Sequence, residues 1–467
     1  MFSEEKTEEY TATKNACKLC TPLGASLVFK GIQGAVPLLH GSQGCSTYIR
    51  RYLISHFKEP IDIACSNFAE DTAIFGGGAN LRIALENILL QYAPEMVGIA
   101  TTCLSETIGD DVPMFIREFK EMHRGEEMPP LVHISTPSYQ GTHMQGFHGA
   151  VRATVEALAT DQGADDRKAN DQKANEKTRV NLFPGMLSPE DLRHLREILT
   201  DFGLGFTLLP DYSETLDGPL WTEYQRIPAG GTTVDAIGRT GSAAGSLEFG
   251  RVLAAEKNTA GKFLEKEFGV KCHSLGLPIG IGETDRFFKT LEFITGMPTP
   301  PRYAEARGRL TDALVDGHKY VSRVKAAVFG EEDLVVGIVS FLSEIGVIPV
   351  LCASGGRSGH MVGKIAEIIP DYENKGIRIL EDADFVDIEA AAEEVKPDLF
   401  IGNSKGYTSA RRLNAPLIRI GFPVHDRING GRLLHVGYAG AQRLFDRIAN
   451  TVIGKRQDDS SWGYTYM

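Results

Sequence analysis

The residues able to do chemistry gather at one end of the chain. Of seven cysteines, Cys17, Cys20, Cys45, Cys65 and Cys103 fall in the first quarter, and only Cys272 and Cys352 lie beyond it. Cysteines used merely as small core hydrophobes would be spread more evenly. The chain opens with the polar stretch MFSEEKTEEYTATKNACKLC, which has no apolar signal region. An odd set of cysteines in such a chain reads as cytosolic thiols or metal ligands rather than disulfides. Three of them, Cys20 in CKLCTPLGAS, Cys45 in HGSQGCSTY and Cys103 in TTCLSETIGDD, would as thiolates suit a soft metal such as iron. Gly41 and Gly44 flank Cys45, where the missing side chains let backbone N–H groups approach a sulfur. There is no paired CxxC of the zinc type, and the lone Cys17–Cys20 pair is weak by itself. Gly76, Gly77 and Gly78 invite a phosphate-loop reading, but no Lys-Ser/Thr pair follows, so nucleotide hydrolysis would belong to another protein.

These residues need elements to hold them. Residues 79–92 carry apolar side chains at three- and four-residue spacing and predict an amphipathic helix. The short apolar run at 96–100 predicts a buried parallel strand, with helices at 111–122 and 148–158 and a strand at 131–134. Residues 161–177, DQGADDRKANDQKANEK, have almost no apolar content beyond alanine and predict a solvated boundary. The alternation restarts with a strand at 180–183, a helix at 189–202 capped by Ser188, a strand at 206–209 and a helix at 284–295. Residues 228–246, rich in Gly, Thr and Ala, resist assignment. A long helix at 303–324 leads into a third set, with strands at 326–329, 348–352, 377–380, 399–401 and 417–420, and helices at 331–345, 384–395 and 441–452. Three such sets predict three doubly wound α/β domains with parallel sheets, at 1–178, 179–300 and 301–467. Ligands in such folds sit beyond the carboxyl ends of the strands. Cys103 follows one such end and Ser138 another, so both could face one crevice.

CKLCTPLGAS, HGSQGCSTY, FGGGANL, TTCLSETIGDD and STPSYQGTH, in this order and spacing, resemble the β-type subunits of the nitrogenase superfamily. LPIGIGETDRFF, DLFIGNSKGY and GFPVHDRINGGRLLHVGYAG continue the resemblance to the C-terminus. It implies the three Rossmann-like domains of nitrogenase component 1. It implies that Cys20, Cys45 and Cys103 hold half of an eight-iron, seven-sulfur (8Fe-7S) P-cluster, with a homologous α-type subunit supplying the other half in an α2β2 heterotetramer. Ser138 matches the family's serine that binds iron when that cluster is oxidised. Phe75 matches a phenylalanine near the docking surface of an ATP-dependent 4Fe-4S iron protein, a transient partner. The chain would relay electrons to a catalytic iron–sulfur metallocofactor in the α-type partner, within an oxidoreductase complex.

The family's molybdenum-type β subunits usually carry a long N-terminal extension, whereas Cys20 stands almost at the start here. Taken with the three cysteines, this favours a nitrogenase-like reductase such as methylthio-alkane reductase, which cleaves C–S bonds reductively. The alternatives are the β-type subunit of the cofactor-assembly scaffold and that of nitrogenase proper. The 49 Lys and Arg against 61 Asp and Glu leave a net charge of −12, which argues against general nucleic-acid binding. No apolar run is long enough for a membrane span. Cys17 and Cys65 read as structural and Cys272 and Cys352 as core. Asp110 and Asp111 read as serving the start of the next helix, His40 and His435 as satisfied structural histidines, and His360 takes no role.

Overall fold

The computed structural model describes residues 16–161, 178–428 and 430–462. The polar opening stretch and nearly all of the expected 161–177 loop lie outside them. Strands β1 (Ala35–His40), β2 (Ala64–Cys65), β3 (Met96–Thr101) and β4 (Leu131–Ile134) form a parallel sheet in the order β2-β1-β3-β4. Strands β5 (Arg179–Phe183), β6 (Gly205–Leu208), β7 (Gly245–Phe249) and β8 (Cys272–Leu275) form a second, in the order β6-β5-β7-β8. The third has five parallel strands, β9 (Lys325–Gly330), β10 (Ile348–Ser354), β11 (Arg378–Leu380), β12 (Leu399–Gly402) and β13 (Leu417–Arg419), in the doubly wound order β11-β10-β9-β12-β13. Each sheet belongs to a Rossmann-like α/β layer structure.

The first sheet shows why its strands are continuous apolar runs. Met96 and Ala100 of β3 pack into one core cluster, Val97 and Ile99 into another on the opposite face. Burial on both faces removes the apolar–polar alternation of a half-exposed strand. Helices α1 (Thr21–Lys30), α2 (Gln43–Phe57), α3 (Glu70–Phe75), α4 (Gly78–Tyr92), α5 (Cys103–Ile108), α6 (Val112–Met122) and α7 (His143–Leu158) surround this sheet. Every residue of α1 is buried. Gly98 of β3 admits the Phe29 ring of α1, since a Cβ there would lie 2.2 Å from it.

Buried polar groups fasten the three layers to one another. His56 of α2 accepts the Val424 N–H at 2.9 Å through Nδ1. Asp191 accepts the His435 and Val436 N–H groups at 2.7 and 3.1 Å. Asp333 accepts those of Val252 and Leu253 at 2.7 and 3.2 Å. Each bond satisfies a backbone donor that burial would otherwise strand. The unassigned 228–246 stretch holds a short helix, Val234–Gly238, and a 3-10 turn before β7. Among the described residues, no helix is long and apolar enough to cross a membrane.

Candidate metal-cluster site

Three thiols stand at three helix N-termini beyond the carboxyl end of the first sheet. Cys20 is the N-cap of α1, Cys45 lies in the first turn of α2 after β1, and Cys103 opens α5 after β3. Helix N-termini carry partial positive charge and favour thiolate. All seven cysteines are free; Cys20 is exposed, and Cys45 and Cys103 are half-buried. Burial pushes the Cys45 thiol up from its ordinary value; the Ser42 hydroxyl opposes this, and the nearby Cys20, Cys103 and Cys65 add to it. These thiols therefore sit close enough to repel one another once ionised, and a positively charged iron centre would relieve that repulsion. Among the described residues, no three His, Cys, Asp or Glu side chains are grouped as ligands to one metal ion. Three thiols are soft donors of the kind that hold iron in iron–sulfur clusters, and on that chemistry the donor set fits such a cluster.

The turns that present the thiols are interlocked. A Cβ on Gly41 would fall 2.1 Å from Oγ1 of Thr102, so only glycine lets the β1–α2 turn approach the residue before Cys103. Thr102 N–H closes that contact by donating to His40 O at 3.1 Å. Ser138 lies beyond β4, beside β3 in the sheet. Its N–H donates to Cys103 Sγ at 3.3 Å, and its Oγ accepts the Thr21 N–H, adjacent to Cys20, at 3.2 Å. Ser138 thus joins the Cys20 and Cys103 helices. Glu106 accepts the Ser135 hydroxyl at 2.6 Å and also that of Thr101, tying the ends of β3 and β4 together.

Phe75 ends α3 and is 86% exposed, next to Ile74 at 76%. Its glycine loop is anchored from below. Asp110 accepts the Gly77 N–H at 3.0 Å and bonds His40 Nε2 at 3.0 Å, while His40 Nδ1 meets Ser66 Oγ at 3.1 Å. Burial pushes the His40 imidazole down, against the pull of Asp110.

Asp111 does cap α6, accepting the Met114 N–H at 2.9 Å, but Asp110 does not serve that helix; its carboxylate turns back to His40 and Gly77. His40 has a partner on each ring nitrogen, whereas His435 meets Asp191 through Nδ1 and leaves Nε2 without a hydrogen bond among the described residues. Cys352 is fully buried, but Cys272 is only half-buried, beside Glu248 at 3.5 Å, because it starts the edge strand β8. Cys17 is buried, and Cys65 donates to Gly41 O and accepts the Asn67 N–H, both at 3.2 Å.

Two residues near the thiols carried no sequence signal of their own. His143 accepts the Leu19 N–H through Nδ1 at 3.4 Å and returns its own N–H to Leu19 O at 2.9 Å, seating the chain before Cys20. Lys405, from the third domain, donates to Ala16 O at 2.9 Å and brings positive charge near Cys17 and Cys20. Its segment, DLFIGNSKGY, carries a signal only as part of a longer pattern.

The three parallel α/β layers and the thiols at the edge of the first define a class of redox protein. The family model for nitrogenase component 1 type oxidoreductases matches residues 20–453, and the chain belongs to that family as a β-type member. The nitrogenase molybdenum-iron protein β chain of Clostridium pasteurianum is 34% identical over 97% of this chain and 96% of its own. That of Methanothermobacter thermautotrophicus is 35% identical over 98% of both. The nitrogenase iron-molybdenum cofactor biosynthesis protein NifN of Bradyrhizobium diazoefficiens is 33% identical over 96% of this chain and 92% of its own. A chain of the solved structure titled "Nitrogenase Cp1 at pH 6.5" superposes with a TM-score of 0.91 at 32% identity, covering 100% of this chain and 99% of that one.

Proposed function

We propose that Cys20, Cys45 and Cys103 bind this chain's share of an 8Fe-7S P-cluster at the interface with a homologous α-type subunit in an α2β2 assembly. In this reading the chain relays electrons from a transiently docked, ATP-dependent 4Fe-4S iron protein to a metallocofactor in the α-type subunit. The observation that carries it is the convergence of three free thiols, each at a helix N-terminus, at the partly open carboxyl end of one sheet. Partial exposure suits a half-site that a second chain completes. When bound, such a cluster accepts and passes on single electrons. The chain's own part is to present the thiols at its helix N-termini and to orient Cys103 through the Ser138 N–H. We assign Ser138 as the residue whose hydroxyl can give up its proton and add an oxygen donor, because it already lies between the Cys20 and Cys103 helices.

The substrate pocket is assigned to the partner. C–S cleavage, expected from the sequence, draws no support from the relatives, whose descriptions name molybdenum-iron β chains and a cofactor biosynthesis protein. The retained trio of thiols favours electron relay over assembly. The deciding experiment is turnover by the anaerobically purified complex with its iron protein, offered dinitrogen, acetylene and a methylthio-alkane in parallel. Ammonia marks nitrogenase activity, and methanethiol without ammonia marks C–S reduction. Transfer of a bound cofactor to an apo-nitrogenase, with no turnover, would replace the relay reading by a scaffold.

We further propose that Phe75 and Ile74 form part of the docking face for the iron protein, since two large apolar side chains stand exposed at the end of α3, beside a glycine loop anchored through Asp110. Phe75→Ala should leave iron content and thermal stability unchanged, as exposed substitutions do within about 0.5 kcal/mol. It should raise the iron-protein concentration needed for half-maximal turnover by about tenfold, the loss of one interface anchor of about 1.4 kcal/mol. An unchanged concentration dependence would remove Phe75 from the docking face.

A further inference from the structure

Lys30 closes α1 at the end opposite Cys20, about 15 Å away by helix rise. Its side chain is 5% exposed and borders a cavity of about 100 Å³. Among the described residues, its ammonium makes no hydrogen bond or ion pair. Asp62 also borders the cavity, but it is more than half exposed and pairs with Arg50 at 3.8 Å. A cation this deeply placed, with no carboxylate in direct contact, gains from an anion brought beside it. Burial pushes Lys30 down to about 8, with the Asp62 charge pulling the other way.

The remaining walls are mostly flat and apolar, with Gln225 and Arg226 as their polar members; the Arg226 guanidinium donates to Gln91 O at 2.9 Å. Tyr92, Trp221 and Tyr224 line the cavity together with Lys30, Pro37 and Pro228. Trp221 is 37% exposed and Tyr224 83%, so this side opens to solvent and gives a ligand its way in. An inorganic anion could meet the charge of Lys30 but would gain nothing from the rings. A flat organic body would gain from the rings but leave the lysine unmatched.

We propose that this cavity binds a small planar carboxylate, with its charge on Lys30 Nζ and its apolar body between Tyr92, Trp221 and Tyr224. The test is equilibrium dialysis of radiolabelled benzoate against the full chain in its purified complex, with benzamide and inorganic phosphate as competitors. Benzoate should bind saturably, and benzamide should compete at least tenfold more weakly because it lacks the charge. Lys30→Met keeps the length of the side chain and removes the charge; it should weaken benzoate at least tenfold. Tyr224→Ser, at an exposed position that does not threaten folding, should weaken it severalfold and so tests the wall even if the lysine variant is poorly made. Absence of saturable benzoate binding to the wild type would overturn the proposal. So would equal affinities for benzoate in wild type and both variants. Phosphate competing as well as benzoate would also overturn it, in favour of an inorganic anion site.

Discussion

Replacing Cys45 by alanine is expected to strip iron from the purified complex and to cut electron delivery at least tenfold. Residues that merely support a metal ligand already cost 10–100-fold when removed, so losing a ligand should cost no less. The effect is expected to be specific because Cys45 lies in the first turn of α2, partly exposed, and among the described residues its sulfur meets one hydrogen-bonding group, the Ser42 hydroxyl at 4.0 Å. Its thiol packs against the main core from the partly exposed side, and alanine keeps the Cβ part of that contact. Cys65 gives the contrast. It lies close to Cys45, but its sulfur is taken up by Gly41 O and the Asn67 N–H, bonds that a serine hydroxyl can imitate. Cys65→Ser should therefore keep wild-type iron while Cys45→Ala loses it. Iron per complex and turnover, measured on both variants, decide the matter. Wild-type iron and turnover in Cys45→Ala would falsify its role as a ligand.

The contrast between Cys45 and Cys65 also marks how far the sequence could be read. Strands and helices with one exposed face, such as α4 and α6, declare themselves by apolar spacing, and their observed limits differ from the expected ones by a residue or so. Helix α1 does not, because all ten of its residues are buried and no polar face sets its period. Strand β1 hides for a different reason. Pro37 stands inside it, although proline is normally barred from an inner strand. The structure tolerates it because β2 pairs only with Leu38 and Leu39, so Pro37 faces no ladder on that side. The two elements carrying Cys20 and leading to Cys45 were thus the least legible in the first domain. Cys103 and Ser138 were easier to place, because short apolar strands run directly into them. The role of Asp110 was hidden because local sequence suggests a helix start, whereas its partners, His40 and Gly77, come from other parts of the chain. Long-range pairing of this kind leaves no trace in spacing.

The same hidden helix yields the second large effect. Gly24→Ala is expected to destabilise the protein by about 3 kcal/mol or more and to lower its iron content, although no ligand is changed. A Cβ at Gly24 would lie 1.7 Å from His143 O and 2.7 Å from Phe147 N. Across the same crossing, a Cβ at Gly146 would lie 1.9 Å from Thr21 O. Helices α1 and α7 therefore meet backbone to backbone, with no side-chain tip that can swing aside. The added methyl must push the helices apart, and α1, buried on every side, has nowhere to move without disturbing the core. Such a shift would separate Leu19 from His143, which holds it by two hydrogen bonds, and would carry Cys20 away from Cys45 and Cys103. Gly363→Ala is the matched control. That glycine lies within the helix Met361–Ile368, and a Cβ there would meet no atom within 4 Å. Alanine should be neutral there, or stabilising by about 0.5–1 kcal/mol through its better helix propensity. Thermal unfolding and iron analysis on both variants separate the possibilities. A large fall in stability with iron retained would mean that α1 can move without moving Cys20. Wild-type stability in Gly24→Ala would mean that the two helices are not in backbone contact at all.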